Sequence, residues 1–246
     1  MSKKNEIVKN ESNGALVVDE RPAWLDASSH RGSEDVGVKD IILPRIDVLQ
    51  ALSPQIKRND PKRIEGAEQG MIFNTVSGEL YDSEVNIVPI KFTREFIVWK
   101  DRDSGGGFAG AFPTEEEANA EVRNQESPEL YEVVETHVHF VLLVKADGST
   151  EEAILSLAKS KRKVSRKLNT LVQMVPGDRF GRMYRLSATE VSGPKGEYWS
   201  FDISPVGYVS KELYDKGLAT YNAITAGERK VDRSYDENGV ETDATV

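Results

Sequence analysis

The stretch EVNIVPIKFTREFIVWK, residues 84–100, has the alternating pattern and the β-branched and aromatic content of one long strand. Pro89 lacks a backbone donor, which predicts an edge or a bulge at that point. Alternate residues of a strand face opposite sides. The apolar face, interrupted by Arg94, holds Val88, Ile90, Phe92, Phe96 and Val98. The mainly polar face holds Lys91, Thr93, Glu95 and Trp99.

Shorter elements surround this strand. Alternation, turn residues and helical periodicity predict strands at 71–76, 137–145 and 151–157, a helix at 163–175, a hairpin of 182–191 with 197–203, and a helix at 210–224. Ser210 is the predicted N-cap of the last helix. The fold class is therefore mainly β with helices. Three strands, a helix and two strands is the order of an OB-fold, a five-stranded Greek-key barrel. Residues 103–136 form an inserted long loop or a small helical excursion, and a C-terminal helix ends the fold.

Polar segments without periodicity lie at both ends of the chain. Residues 1–40 are predicted to be a flexible N-terminal segment, and 227–246 an acidic disordered C-terminal tail. From Asp236 onward the tail has four acidic residues and no basic one. The predicted OB-fold domain is 41–226.

Composition excludes several classes of protein. The 246 residues are 38% hydrophobic and 30% charged and contain no cysteine, so disulfides and cysteine-ligated metals are ruled out. The first residues lack the apolar segment of a signal peptide, and no apolar run approaches the ~20 residues of a membrane helix. We expect no membrane association and a cytoplasmic location.

Positive charge is concentrated in AKSKRKVSRKLNTLV, residues 158–172, although the whole chain has a net charge of −9. Segment 154–185 has nine basic residues against one acidic residue, Asp178. On the predicted helix, Arg162 and Arg166 lie opposite an apolar stripe through Val164 and Leu168. A solvated polar face is one interpretation. Cations that follow a phosphate backbone are the other, and the single sign of the charge favours it.

Aromatic residues indicate which polyanion is involved, because single-stranded nucleic acid needs exposed rings on which its bases stack. Trp99 and Tyr198 fall on polar strand faces and are the predicted stacking residues. Phe108, in the Gly-rich stretch DSGGGFAG (103–110), is a third. Trp199 and Tyr184 fall on apolar faces and are predicted to lie in the core.

Catalytic and metal-binding patterns are weak. His137 and His139 are two apart on a strand and share one side, but no third ligand is apparent, so surface histidines are the favoured interpretation. DSGGGFAG lacks the Gly-Lys-Ser/Thr ending of a phosphate-binding loop. No nucleophile with a paired base can be named. We therefore expect no enzyme activity and no cofactor.

Four stretches resemble tailed-bacteriophage single-stranded DNA-binding proteins: IDVLQALSP (46–54), FNTVSGELYDSEVNIVPIKFTREFIVWKDRDSGGG (73–107), LSLAKSKRKVSRKLNTLV (155–172) and MYRLSATEVSGPKGEYWSFDISPVG (183–207). The resemblance implies an OB-fold that coats single strands during phage replication and recombination. It also implies that an acidic tail recruits replication or recombination proteins. Related phage tails often end in an aromatic residue, whereas this chain ends in Ala-Thr-Val.

We therefore predict a protein that binds single-stranded DNA with little sequence preference. The predicted DNA-binding residues are Lys91, Trp99, Arg102, Phe108, Lys159, Lys161, Arg162, Lys163, Arg166, Lys167, Arg185 and Tyr198. An acidic phage protein that engages a host protein is the alternative, and a nuclease with unrecognised carboxylates is the third. Open barrel edges are compatible with a homodimer, although no residue requires one.

Overall fold

The computed structural model describes residues 8–9, 16–17, 31–37, 40–101, 103–193 and 196–228. The chain divides into two compact units, Met1–Asp40 and Ile41–Val246. In the first unit, β1 (Val8–Lys9) pairs antiparallel with β2 (Leu16–Val17). The predicted flexible segment and acidic tail lie largely outside the described residues.

The second unit is mainly β with helices, as predicted. Its strands are β3 (Ile46–Val48), β4 (Ile72–Asn74), β5 (Glu84–Lys100), β6 (Phe108–Phe112), β7 (Tyr131–Val144), β8 (Thr150–Ala158), β9 (Arg182–Gly193) and β10 (Gly196–Tyr208). Its helices are α1 (Glu115–Arg123), α2 (Arg162–Gln173) and α3 (Lys211–Thr225). None of the helices in the described part combines the length and apolar character that crossing a bilayer requires.

The main sheet is antiparallel and has the order β10-β9-β5-β7-β8, with β6 paired to the far end of β5. It is not a closed barrel, because no ladder joins β8 to β10 among the described residues. The segment around β3 lies between these two edges. Arg45 bridges Ile154 in β8. The side-chain amide of Gln50 donates to the Trp199 carbonyl in β10 (2.7 Å) and accepts from the Trp199 N–H (2.9 Å).

Two apolar clusters cover the two faces of the sheet, as alternation along the strands requires. The first packs β3, β4 and α2 against one face, with residues such as Ile87, Leu143, Leu155, Leu168 and Ile203. The second packs α3 and the turn before β9 against the other face, with Val88, Ile90, Phe140, Phe180 and Ile224. α2 therefore stands against the face opposite α3.

A β-bulge at Pro89 confirms the prediction made from that residue. The register of β5 against β7 shifts between Pro89 and Lys91. An extra residue in a strand reverses the phase of everything beyond it. Ile90 accordingly joins the α3-side cluster, whereas the ring of Phe92 lies 5.0 Å from that of His139, on the α2 side. The prediction that Val88, Ile90 and Phe92 share one face is therefore wrong.

The inserted segment 103–136 contains β6 and α1, which supports the helical excursion among the two predicted forms. Thr114 caps α1 by accepting a hydrogen bond from the Glu117 N–H (3.2 Å), and three glutamates occupy the first turn. Acidic residues there interact favourably with the helix dipole. Ser210 caps α3 by accepting from the Leu213 N–H (3.2 Å), as predicted.

Candidate nucleic-acid interface

The cationic helix α2 is fixed by its apolar stripe. Val164 and Leu168 are buried in the first apolar cluster. Residues on the other side of the helix are therefore turned to solvent, and Lys163, Arg166 and Lys167 are all exposed. Burial of a leucine side chain contributes about 1.5–3 kcal/mol, which explains why this stripe determines the orientation of the helix.

The positive charge of the basic stretch is partly compensated in space. Four of its six cations have a carboxylate partner: Lys159 with Glu132 (3.3 Å), Lys161 with Asp47 (3.3 Å), Arg162 with Glu135, and Lys167 with Asp202 (2.6 Å). Lys163 and Arg166 have no ion pair within the described ranges. The net positive charge around the basic stretch is therefore smaller in the folded protein than the sequence of that stretch suggests.

Lys161 is not a surface residue, contrary to the prediction. Its side chain is only 4% exposed, and its Nζ lies 3.3 Å from Asp47 Oδ1 and 5.9 Å from the ring centroid of Phe201. Lys161 lies in the turn that joins β8 to α2, and in this turn Lys159 adopts a positive φ of 44°. Lys161 is therefore not accessible to a ligand at the surface.

An open groove of about 470 Å³ lies between α2 and strands β5 and β7. It is lined by Phe92, Arg94, Glu135, His137, Arg162, Arg166, Asn169 and Thr170. Arg94 interrupts a predicted apolar face, and neither Phe92 nor Glu135 was predicted to belong to a site. The bulge at Pro89 sets the phase of Phe92 and Arg94, and the proline itself was the signal for it in the sequence.

Glu135 lies at the centre of this groove. Its Oε1 accepts from His137 Nε2 (3.1 Å) and forms an ion pair with Arg94 Nε (3.1 Å), and its Oε2 accepts from Arg162 Nη1. Burial raises the pKa of the Glu135 carboxyl, but the hydrogen bond from His137 and the charge on Arg162 outweigh it and hold the pKa below the ordinary 4.5. Glu135 is thus an ionised acceptor with two hydrogen-bond donors and one further arginine beside it.

His137 and His139 face the same side, as predicted, but both are buried, and the prediction of surface histidines is wrong. Both contact the hydroxyl of Ser165 in α2, through His137 Nδ1 (2.7 Å) and His139 Nε2 (2.8 Å). Ser165 is buried as well, so these contacts are enclosed between β7 and α2. Among the described residues, no group of three or more His, Asp or Glu residues has the arrangement of a metal site.

A one-way chain of hydrogen bonds ends at Glu135. Arg179 Nη2 lies 2.8 Å from His139 Nδ1, and an arginine can only donate. His139 must then donate from Nε2 to Ser165. The ionised Glu135 can only accept, so His137 donates to it from Nε2, and with that tautomer the Ser165 hydroxyl donates to His137 Nδ1. Burial and the charge of Arg179 hold the pKa of His139 well below its ordinary 6.5, consistent with a neutral ring.

Two of the predicted stacking residues contact each other. Trp99 and Phe108 are paired across β5 and β6, and their rings pack edge to face with centroids 6.0 Å apart. Trp99 also lies opposite Glu132 in β7, and Glu132 is the partner of Lys159. The aromatic pair therefore adjoins the start of the basic stretch.

The third predicted stacking residue, Tyr198, is half-buried in β10 opposite Val191. The predicted core positions of Tyr184 and Trp199 are confirmed. Tyr184 is buried, and Trp199 packs against the first apolar cluster. Gly70, with φ +84°, lies so close to the indole of Trp199 that a Cβ there would be 2.9 Å from three ring atoms.

The remaining predicted cations lie on other elements. Lys91 Nζ donates to Thr225 Oγ1 in α3 (3.3 Å), so Lys91 is on the face of the sheet opposite α2. Arg185 is exposed on β9 and lies 3.7 Å from Glu84. Arg102 lies outside the described residues.

The fold and the groove define a class: an antiparallel-sheet protein with a cationic helix beside an arginine-lined groove. Residues 10–230 match the family model described as Pam3 phage gp34-like protein. Because this match spans far more than half of the chain, the chain belongs to that phage protein family. No curated protein and no solved structure matches it.

Proposed function

We propose that this phage protein is a non-enzymatic binder of single-stranded DNA with little sequence preference, active in replication and recombination. The observation that carries the proposal is the groove beside α2, where Arg94, Arg162 and Arg166 line one open surface together with the ring of Phe92. Guanidinium groups bind phosphates, and aromatic rings accept bases of any sequence. The exposed Lys163 and Lys167 extend this cationic surface along α2.

Strand order supports an OB-fold as the architecture behind this function. With β5, β7, β8, β9 and β10 counted as strands one to five, the sheet reads 5-4-1-2-3, and α2 lies between the third and fourth strands. We propose that the segment around β3 substitutes for the missing contact between strands three and five. OB-folds bind oligonucleotides with the loops between strands one and two and between strands four and five. Here the first of these connections carries Phe108, next to Trp99. The second leads into β10, which begins two residues before Tyr198.

Titration of the intrinsic fluorescence with oligo-dT tests the proposal. The chain has three tryptophans, so the assignment requires Trp99→Phe, which we expect to abolish most of the quenching. If about four phosphates are contacted, the slope of log affinity against log salt is near −3, from ~0.7 per phosphate. Neither quenching nor a salt response would be seen if the α2 surface instead docks on an acidic protein. Degradation of the oligonucleotide after addition of magnesium would identify a nuclease.

A further inference from the structure

A single carboxylate occupies the centre of the arginine-lined groove. We propose that Glu135 holds the position of a DNA phosphate: in the free protein its carboxylate binds the groove's donors, and a backbone phosphodiester displaces it in the complex. This inference rests on the proposed function and specifies the ligand group and the residue that competes with it. The phosphate site consists of Arg94, His137, Arg162 and Arg166.

The donors converge from three separate elements. Arg94 comes from β5, His137 from β7 and Arg162 from α2. His137 and Arg162 donate hydrogen bonds to the same carboxylate, and Arg94 forms an ion pair with it. Carboxylates and phosphates present oxygen acceptors of similar geometry to arginine, which binds either in a bidentate manner. A site that saturates a carboxylate with such donors is therefore also preorganised for a phosphate.

The net charge of the groove favours the binding of an anionic ligand. Three arginines against one carboxylate leave a net charge of +2, with His137 counted as neutral. Arg166 is exposed and has no ion pair within the described ranges. Exchange of Glu135 for a phosphate therefore replaces one anion by another and gains the guanidinium of Arg166.

The groove is accessible, unlike a buried structural ion pair. The exposed fractions of the side chains are 55% for Arg94, 37% for Arg162 and 28% for Glu135. Its volume of about 470 Å³ falls within the ~300–1,000 Å³ of ordinary ligand sites. A nucleotide unit can therefore enter without rearrangement of the sheet.

The buried hydrogen-bond chain gives His137 a defined part in this site. The hydrogen bonds of Arg179, His139 and Ser165 support the tautomer in which His137 accepts at Nδ1, and in that tautomer Nε2 presents a donor to whichever anion occupies the groove. The three upstream residues are positioning residues, since none of them lines the groove. They also explain why two histidines and a serine are buried together between β7 and α2.

Affinity for oligo-dT in matched variants tests the inference. We expect Glu135→Gln to tighten binding about fivefold, because it removes the competing charge, and Arg94→Gln to weaken it about tenfold through loss of a charge-assisted contact. Arg166→Gln weakens binding similarly; its side chain is exposed, so a loss of fold cannot explain the result. Arg58→Gln, an exposed arginine outside the groove, makes the same charge change and leaves affinity within about twofold.

Each outcome separates the inference from the proposed function. If wild-type protein binds oligo-dT but the groove variants behave like Arg58→Gln, the inference is overturned and the function stands. If wild-type protein does not bind oligo-dT, both are overturned. Competition with dTMP distinguishes the source of the phosphate. Displacement of the oligonucleotide only by millimolar dTMP supports a strand phosphate, whereas displacement by micromolar dTMP indicates a free-nucleotide site and overturns the inference.

Discussion

At the scale of single residues, His139 is an ionisable group held neutral by the structure. Its ring is fully buried and accepts a hydrogen bond from Arg179, whose guanidinium group stays protonated and can only donate. Protonation of the ring would place two positive groups 2.8 Å apart in the interior. The burial of His139 therefore links the stability of the protein to pH.

We predict that wild-type protein loses stability as the pH falls from 7 to 5.5, more steeply than His139→Gln. The folded-state pKa of His139 lies below its unfolded value, so only the unfolded chain takes up this proton below about pH 6.5, and acid favours unfolding. One such proton contributes at most about 1.4 kcal/mol per pH unit. Urea unfolding of both proteins at the two pH values measures the difference in slope. Equal slopes would mean that His139 is protonated in the folded protein.

At the scale of elements, α2 combines a stripe in the core with a cationic face, and the turn before it buries one cation. We predict that Lys163→Glu with Arg166→Glu strongly weakens oligo-dT binding and changes the free energy of unfolding by less than ~0.5 kcal/mol, because both side chains are exposed. Lys161→Ala should do the reverse: loss of its ion pair with Asp47 and of its buried side chain destabilises the protein by about 3 kcal/mol, with unchanged affinity of the folded protein. Binding and denaturation curves of both variants decide the matter. Unfolding of the double variant would show that the exposed face is structural.

The same helix shows what sequence could and could not predict. Its apolar period, the Ser210 cap and the alternation of β5 are local patterns, and each predicted its element correctly. Burial of Lys161 was not predictable, because its partner Asp47 is more than one hundred residues away in the chain. The face of Phe92 depended on a bulge whose exact position the proline did not give. Arg94 and Glu135 meet only through strand pairing, so the groove had no sequence signature.

At the scale of the whole molecule, the chain carries a cationic surface on α2 and an acidic segment at 236–246. We predict that deletion of 236–246 tightens oligo-dT binding, most clearly at low salt, because four covalently attached carboxylates compete with DNA for the cations of α2. Titrations at low and high salt measure the effect. A full-length variant with Asp236→Asn, Glu237→Gln, Glu241→Gln and Asp243→Asn is the control for length and should behave like the deletion. Identical affinities of all three proteins at low salt would show that the segment does not reach the DNA site.

Gln50 joins the segment around β3 to the edge strand β10 with a single side chain. Its amide donates and accepts in one plane, as a peptide group does, and therefore replaces one residue of a missing strand. A ladder constrains every residue along it, whereas this contact constrains one. In evolutionary terms, we expect homologous chains to vary in the length and composition of the segment between Gln50 and Gly70, which joins β3 to β4. Selection at this boundary would act on one amide and on the glycine that accommodates the neighbouring indole.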